Sequence, residues 1–254
     1  MRIQFFSDLH TEDGDLPYQP ADCDVIAILG DIGIGRGMID WCDKHLANVK
    51  QPILIVPGNH DFWYGWMPER LQQFETELSQ LGIDLLYNKA ITIGDTLFCG
   101  TTLWTDFNLH GKQHDKMLIA KDQMSDYLTI WGDGPEGKIT SQDILNEHIK
   151  AVKFLDTVLT ARPKGQQTVV LTHHAVSAES LGADKDNRFA PFYASNLDDL
   201  FLKHQPELVL HGHIHKKVQY FIGEETLVMS NPRGRIAHAK SYNDKFDMRM
   251  TVNI

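Results

Sequence analysis

The most informative stretch of the chain is Pro52-Ile53-Leu54-Ile55-Val56-Pro57-Gly58-Asn59-His60-Asp61. Its apolar part indicates a buried strand, and the polar cluster that follows indicates a loop at the carboxyl end of that strand. The same shape recurs at 3–6, 24–29, 168–171 and 208–210. We therefore predict five strands that each end in a polar or ionisable cluster.

Segments with helical spacing lie between these strands, at 38–49, 67–81, 141–159 and 196–204. Ser141 and Ser195 are the predicted N-caps of the last two helices, and Gly82 is the predicted C-cap of the second. Strands that alternate with helices predict an α/β fold. Shorter strand-like pieces at 83–87, 90–93, 96–100, 217–222 and 226–229 predict additional hairpins and a mixed sheet.

The length and composition fit one domain. The chain has 254 residues, of which 42% are apolar, enough for a sizeable core. We expect a single domain over 1–254. Residues 105–137 are polar and show no clear period, so we interpret them as an insertion or lid beside the site. Residues 175–194 form a second irregular segment.

The charge balance limits the possible partners. Lys and Arg sum to 24 and Asp and Glu to 34, so the formal net charge is −10. This balance argues against a protein that binds an extended nucleic acid, because such binding needs clustered Lys and Arg. It does not exclude a small phosphate-bearing substrate, since a local site can be positive around metal ions.

The sequence also bears on location. The N-terminus does not resemble a signal peptide, because its apolar stretch is short and acidic residues follow at once. No apolar run reaches the roughly 18–20 residues that a transmembrane helix needs. The three cysteines are never spaced Cys-x-x-Cys, so neither a disulfide framework nor a thiolate metal site is indicated. We expect a cytoplasmic protein with no membrane partner.

Metal-ligand side chains stand at all the predicted strand ends: Asp8-Leu9-His10, Asp31, Asn59-His60-Asp61, His173-His174 and His211-Gly212-His213-Ile214-His215. Carboxylate, imidazole and amide groups of this kind suit divalent ions such as Mn²⁺, Fe²⁺ and Zn²⁺. Ligand sites in open α/β sheets lie beyond the carboxyl ends of the strands. Alternate side chains on an extended segment point the same way, so Asp8 with His10, and His213 with His215, can face one ion. Asp31 suits a bridging role, because a carboxylate offers two oxygens.

Each cluster by itself also has a structural interpretation. Asp8 and His10 fit loop or cap positions, Asp31 fits a turn after Gly30, and the Gly58-Asn59 pair fits a turn with positive φ. Which of His173 and His174 is a ligand is not visible from spacing. The joint occurrence of all the clusters, each at a strand end, favours a metal site.

The ordered blocks D-x-H, G-D, G-N-H-[DE], H and G-H-x-H, from Asp8 to His215, resemble those of the calcineurin-like metallophosphoesterase superfamily. The resemblance covers most of the chain. It implies a four-layered α/β/β/α sandwich with mixed sheets and a dinuclear metal centre at the sheet edge. It also implies an enzyme, a dinuclear metal-dependent phosphohydrolase.

Carried over position by position, the resemblance assigns two divalent ions. The first metal site consists of Asp8, His10, Asp31 and His215. The second consists of Asp31, Asn59, His173 and His213, with Asp31 shared. His60 corresponds to the histidine that stays near the metals without binding them, and His211 lies outside the metal shell.

The expected reaction is hydrolysis of a phosphate ester by a hydroxide that bridges two divalent ions, Mn²⁺, Fe²⁺ or Zn²⁺. His60 is the expected general acid or transition-state stabiliser. Asp61 fits either an orienting role for a histidine or a turn cap. Phosphodiesterase and phosphomonoesterase activities both remain open, because the metal blocks serve either. The alternatives are a non-catalytic metal-binding scaffold and a nuclease.

Substrate residues are less marked in the sequence. We expect a small phosphate-ester substrate, and Arg side chains can hold a second phosphate or a carboxylate bidentately. Arg233 and Arg188 are the first candidates, ahead of Arg36 and Arg235. The aromatic run at 62–66 fits either a wall that stacks on a ring or core packing at the start of a helix.

Overall fold

The computed structural model describes residues 1–238 and 241–254. The strands are β1 (Arg2–Phe6), β2 (Val25–Ile28), β3 (Ile53–Ile55), β4 (Asp84–Leu85), β5 (Lys89–Ile93), β6 (Thr96–Thr101), β7 (Thr168–Thr172), β8 (Leu208–His211), β9 (Val218–Ile222), β10 (Thr226–Ser230) and β11 (Thr251–Asn253). The α-helices are α1 (Arg36–Leu46), α2 (Met67–Gln80), α3 (Gln113–Gln123), α4 (Asp126–Thr129), α5 (Ser141–Ala161) and α6 (Asp198–His204).

The strands form two mixed sheets. The first has the order β11-β1-β2-β3-β4, in which β1 to β4 are parallel and β11 is antiparallel to β1. The second has the order β5-β6-β7-β8-β10-β9, in which the two edge strands are antiparallel to their neighbours. Phe6 pairs with Ile28, and Ile28 pairs with Ile55, so the carboxyl ends of β1, β2 and β3 are level.

The apolar side chains form layers between and outside these sheets. Phe5 of β1 and Leu54 of β3 belong to a buried cluster with Phe98 of β6 and Leu171 of β7, so the two sheets pack face to face. The outer face of the first sheet packs on α1 and α2, and the outer face of the second packs on α5 and α6. This is the four-layered α/β/β/α sandwich that the resemblance implied.

The structure corrects several local predictions. The piece predicted at 83–87 is the short parallel strand β4 of the first sheet and not part of a hairpin. Thr140, not Ser141, caps α5, because its hydroxyl accepts the backbone N–H of Asp143 and the Asp143 carboxylate accepts that of Thr140. Leu197, not Ser195, precedes α6.

Residues 105–137 contain α3 and α4, which the sequence did not predict. Ala120 is the buried residue of α3, and its other side chains are exposed or half-buried. A helix with so little apolar surface has no clear periodic pattern to detect. Within residues 1–238 and 241–254, no helix is long and apolar enough to cross a membrane.

Candidate metal centre

The side chains predicted as metal ligands converge at the carboxyl ends of strands from both sheets. The first sheet supplies Asp8, His10, Asp31 and Asn59, and the second supplies His173, His213 and His215. Donor atoms of Asp8, His10, Asp31 and His215 lie within 4.8 Å of one another, and so do donor atoms of Asp31, His173 and His213. Asp31 is common to both groups, which is the arrangement expected for a bridging carboxylate.

The distances within the two groups are short. Asp31 Oδ2 lies 3.4 Å from His173 Nε2 and 3.7 Å from His10 Nε2. Asp8 Oδ1 lies 3.2 Å from His215 Nε2, which is 3.1 Å from His10 Nε2. Ring nitrogens and carboxylate oxygens therefore point at common points in space, as metal ligands do.

An orphaned buried atom supports a cation at this place. His213 is 6% exposed, and its Nε2 has no hydrogen-bond partner among the described residues. A buried polar atom without a partner costs about 1–3 kcal/mol. A divalent ion between Asp31, His173 and His213 would remove this cost, and imidazole with carboxylate suits Mn²⁺, Fe²⁺ or Zn²⁺. The residues present therefore fit the metal pair that the sequence predicts.

The backbone at this centre adopts an uncommon conformation. The left-handed region, which residues other than glycine rarely occupy, holds Asp8 (φ 53°), His10 (φ 44°), Asp31 (φ 53°), His213 (φ 68°) and His215 (φ 51°). Such residues cost free energy and cluster at functional sites, where the surrounding structure holds them. In this chain, these five residues are all predicted metal ligands, and they are drawn from both groups.

Burial and charge set the protonation of the histidines. Burial alone would lower the pKa of His173, but the Asp31 carboxylate raises it to about 9. Burial lowers the pKa of His174 to about 3 and that of His211 to about 4. Of the two adjacent histidines, it is His173 whose ring nitrogen joins the Asp31 group, and His174 Nδ1 lies 3.2 Å from the Thr102 carbonyl.

His211 lies beside the centre and not in it. Its Nε2 is 2.9 Å from Ser180 Oγ, which is 2.7 Å from the hydroxyl of Tyr220. This buried network connects β8 and β9 to the irregular segment at 175–194. His211 thus has hydrogen-bond partners of its own outside the two ligand groups, consistent with its expected place outside the metal shell.

Asp61 fixes two loops of the centre to one another. It is fully buried, and its carboxylate accepts the backbone N–H groups of Asp31 (2.9 Å), Ile32 (3.1 Å), Gly33 (3.2 Å) and Gly58 (2.7 Å). Backbone N–H groups of the loop after β2 and the loop after β3 therefore share one acceptor. The sequence left two roles open for Asp61, orientation of a histidine or a turn cap, and these contacts correspond to the turn cap.

We predict that Asp61→Asn lowers the free energy of unfolding by about 2–4 kcal/mol, because an amide cannot accept all four N–H groups and leaves buried donors unpaired. Urea denaturation of the metal-free protein measures this change. Asp43→Asn, at an exposed position of α1, is the control and is expected to change the stability by less than about 0.5 kcal/mol. Equal stability of the two variants would contradict the anchoring role.

Gly58 lies against the predicted bridging ligand. A Cβ atom at this position would be 2.2 Å from Asp31 Oδ1 and 2.7 Å from His173 Cε1. Contacts this short force the neighbouring side chains to move. Glycine is therefore required here by the close approach of the two ligands.

We predict that Gly58→Ala loses most of its metal-binding capacity, with a Mn²⁺ affinity at least about tenfold weaker. Isothermal titration with Mn²⁺ measures the change. Gly37→Ala is the matched control, because a Cβ in that position of α1 meets nothing within 4 Å. Wild-type affinity in Gly58→Ala would show that the centre tolerates the added methyl group.

His60 lies at the mouth of the centre. Its side chain is 15% exposed and lines a cleft of about 540 Å³ together with Asp31 and Asn59. The ring stacks on Trp63, with centroids 3.6 Å apart and planes inclined by 24°. Its Nδ1 is 3.7 Å from Glu12 Oε1, and the same oxygen is 2.9 Å from His10 Nδ1.

Most other side chains of the cleft come from four segments. Gln123, Met124, Ser125 and Asp126 lie in 105–137; Leu181, Asp184, Asn187, Phe189, Ala190 and Tyr193 lie in 175–194; Ile214, Lys216, Arg235 and Ser241 follow β8 and β10. Of the aromatic run at 62–66, Trp63 lines the cleft and Phe62 is buried in the core. Phe62 therefore has the core-packing role, whereas stacking of Trp63 on a substrate ring stays a prediction.

The two first candidates for substrate binding, Arg233 and Arg188, lie outside this cleft lining. Arg233 is buried, and its Nη1 donates to the carbonyls of Leu9 (2.6 Å) and Gly14 (3.0 Å). Arg188 is exposed and lies over its neighbour Phe189. Arg235 does line the cleft, and its guanidinium binds the Asp13 carboxylate through two hydrogen bonds of 2.7 Å.

Three contacts of the predicted site residues were missed by the sequence analysis. Glu12 binds the ring of His10, Ser241 Oγ lies 2.6 Å from His215 Nδ1, and Asp126 binds the amide of Asn59. Hydrogen-bond partners of this kind hold metal ligands in the correct orientation. Glu12 follows the first block and was detectable as an acidic residue two positions after His10. Ser241 and Asp126 carry no such signal.

The model of the calcineurin-like phosphoesterase family matches residues 1–217. The chain belongs to the calcineurin-like phosphoesterase family. Curated protein sequences give no match to it. Family membership supports a phosphohydrolase, and the side-chain groups around Asp31 are suited to metal binding in this family member.

Solved structures show the same fold at low sequence identity. Phosphopantetheinyl hydrolase from Mycobacterium tuberculosis is 17% identical, with a TM-score of 0.68 over 91% of this chain and 88% of that one. A dimetal phosphatase from Danio rerio is 16% identical, with a TM-score of 0.51 over 90% of this chain and 86% of that one. At identities this low, a structural match establishes a shared fold and nothing about the substrate. The substrate therefore has to be argued from the cleft of this chain.

Proposed function

We propose that this chain hydrolyses a small phosphate ester at the Asp31 centre with the help of two divalent ions. Asp8, His10, Asp31 and His215 would hold one ion; Asp31, Asn59, His173 and His213 would hold the other. The observation that carries the proposal is the position of Asp31, a buried carboxylate shared by both ligand groups and open to a cleft. Bound there, divalent ions supply positive charge for phosphoryl oxygens and acidify water.

His60 is the proposed proton donor or stabiliser of the transition state. It faces the cleft beside the ligands and belongs to neither ligand group that contains Asp31, grouping with His10 and Glu12 instead. Trp63 stacks on its ring, and Glu12 Oε1 lies 3.7 Å from its Nδ1. We assign Nε2 to the contact with the ester. An imidazole in this position can protonate a leaving oxygen or donate a hydrogen bond to a phosphoryl oxygen.

The cleft supports a substrate of small-molecule size. A volume of about 540 Å³ lies within the range of about 300–1,000 Å³ that is usual for such sites. Trp63, Met124, Leu181, Phe189 and Tyr193 offer apolar and aromatic contact for the organic part of an ester. The net charge of −10 and the limited volume of the cleft favour a small ester over a nucleic-acid strand.

A non-catalytic metal-binding scaffold is the alternative with the same ligands. Such a scaffold has no need of a histidine held by stacking at the mouth of an open cleft. The position of His60 therefore favours catalysis.

The test compares bis(p-nitrophenyl) phosphate and p-nitrophenyl phosphate with metal-stripped protein to which Mn²⁺ is added back. Turnover that depends on Mn²⁺ supports the proposal, and the preferred ester assigns the activity as a phosphodiesterase or a phosphomonoesterase. Absence of turnover with either ester or with alkyl esters, while two ions per chain remain bound, would favour the scaffold. Tight oligonucleotide binding that salt abolishes would favour a nuclease.

A further inference from the structure

One carboxylate of the segment 105–137 reaches the metal centre. Asp126, the first residue of α4, is 6% exposed. Its Oδ1 accepts a hydrogen bond from Asn59 Nδ2 at 2.9 Å and another from Trp63 Nε1 at 2.7 Å. A single buried oxygen therefore contacts both a predicted metal ligand and the aromatic ring beside His60.

The bond to Asn59 decides which end of its amide faces the centre. The oxygen and the NH₂ group of an asparagine side chain have almost the same shape, but only the oxygen is an acceptor or a metal ligand. Because Asp126 is an acceptor, it selects the NH₂ group. Asn59 Oδ1 is then directed inward, 3.0 Å from His173 Nε2.

The bond to Trp63 fixes the surface on which His60 lies. The indole of Trp63 is half-buried and stacks on the His60 ring at a centroid distance of 3.6 Å. The Nε1–H bond to Asp126 sets the rotation of the indole in its plane. Loss of this bond frees the stacking partner of His60.

We propose that Asp126 is a positioning residue: it orients the Asn59 amide oxygen toward the metal centre and holds Trp63 against His60. The segment 105–137, interpreted from the sequence as an insertion or lid, thus supplies part of the catalytic apparatus. The consequence for turnover rests on the proposed function. The orientation of Asn59 and Trp63 does not, and it can be measured separately.

Four variants separate positioning from a general structural role. Asp126→Ala removes both hydrogen bonds, whereas Asp126→Asn keeps an oxygen that can accept both. Trp63→Phe removes the indole donor and leaves the bond to Asn59. Asp122→Ala, at an exposed position of the neighbouring helix α3, is the matched control for a lost carboxylate.

Mn²⁺ affinity is the first measurement, by isothermal titration. We expect Asp126→Ala to bind Mn²⁺ about 10–100-fold more weakly, the usual cost of losing a group that orients a metal ligand. Asp126→Asn, Trp63→Phe and Asp122→Ala should stay within about threefold of the wild type, because each keeps an acceptor for Asn59 Nδ2. Wild-type affinity in Asp126→Ala, or an Asp126→Asn variant as weak as Asp126→Ala, would overturn the proposal.

The indole N–H resonance of Trp63 is the second measurement and needs neither metal nor substrate. Its absence in Trp63→Phe assigns it in the ¹⁵N spectrum. We expect it to shift and to lose protection from solvent exchange in Asp126→Ala, and to keep its protection in Asp126→Asn and Asp122→Ala. An unchanged resonance in Asp126→Ala would overturn the role toward Trp63. If the wild type hydrolyses no ester and these shifts still occur, the proposed function fails and the positioning role stands.

Discussion

Asp31→Asn is expected to abolish turnover, with a loss of at least about a thousandfold, and to lower the metal content of the protein. Asp31 Oδ1 accepts the backbone N–H of His60 at 2.8 Å, and Oδ2 lies between the rings of His173 and His10. An amide in this place keeps the shape of the side chain. It replaces one anionic oxygen by an NH₂ group, which repels a cation.

Metal analysis of purified Asp31→Asn, alongside Mn²⁺-dependent ester hydrolysis, measures both effects. Asp15→Asn is a suitable control, since Asp15 forms a partly exposed ion pair with Lys44 and a hydrogen bond with the ring of His45. Such surface pairs contribute about 1 kcal/mol or less. The control should keep its metals and its turnover. Two ions per chain and normal turnover in Asp31→Asn would refute the bridging assignment.

His60→Ala is expected to reduce turnover by about 10²–10⁴-fold and to leave the metal content unchanged. The reason is that His60 lines the cleft beside the ligand groups of Asp31 without belonging to them. Metal analysis and steady-state kinetics on the same preparation give the two readouts. Loss of metal together with loss of folding would instead make His60 a structural residue.

The leaving group distinguishes the two proposed roles of His60. A general acid matters little for p-nitrophenolate, which departs without a proton, and matters greatly for an alkoxide. A general acid therefore predicts a small loss with p-nitrophenyl esters and a large loss with alkyl esters. A stabiliser of phosphoryl oxygens predicts similar losses with both. His114→Ala, at an exposed position of α3, should behave as the wild type with either ester.

The strand ends were predictable because their signals are local. Each apolar run, such as 53–55, is followed within a few residues by its ligand residues, and the parallel order of β1, β2 and β3 brings these ends together. The family resemblance supplied the four layers and the pairing of ligands into two groups. The capping error at Ser141 arose because Thr140 is an equally good cap one residue earlier.

The partners of the ligands were not predictable, because they depend on long-range packing. Asp126 lies 67 positions after Asn59, and Ser241 lies 26 positions after His215. No spacing rule connects such pairs. Arg233 was predicted to bind substrate because the sequence shows only its charge. In the structure its guanidinium instead binds two backbone carbonyls near β1, which the sequence does not reveal.

The proposed ligands come from both sheets, so bound ions would also affect how stably the chain is folded. Asp8, Asp31 and Asn59 follow strands of the first sheet, whereas His173 and His213 follow strands of the second. Ions bound at the proposed centre would connect the two sheets to each other. The free energy of unfolding would then rise with the supply of metal, by about 2.7 kcal/mol at a free concentration of 100 times the dissociation constant. Resistance to heat and to proteases would rise with it. If the proposed centre binds its ions, a cell short of divalent metal would hold this protein in a form that is both inactive and easier to degrade.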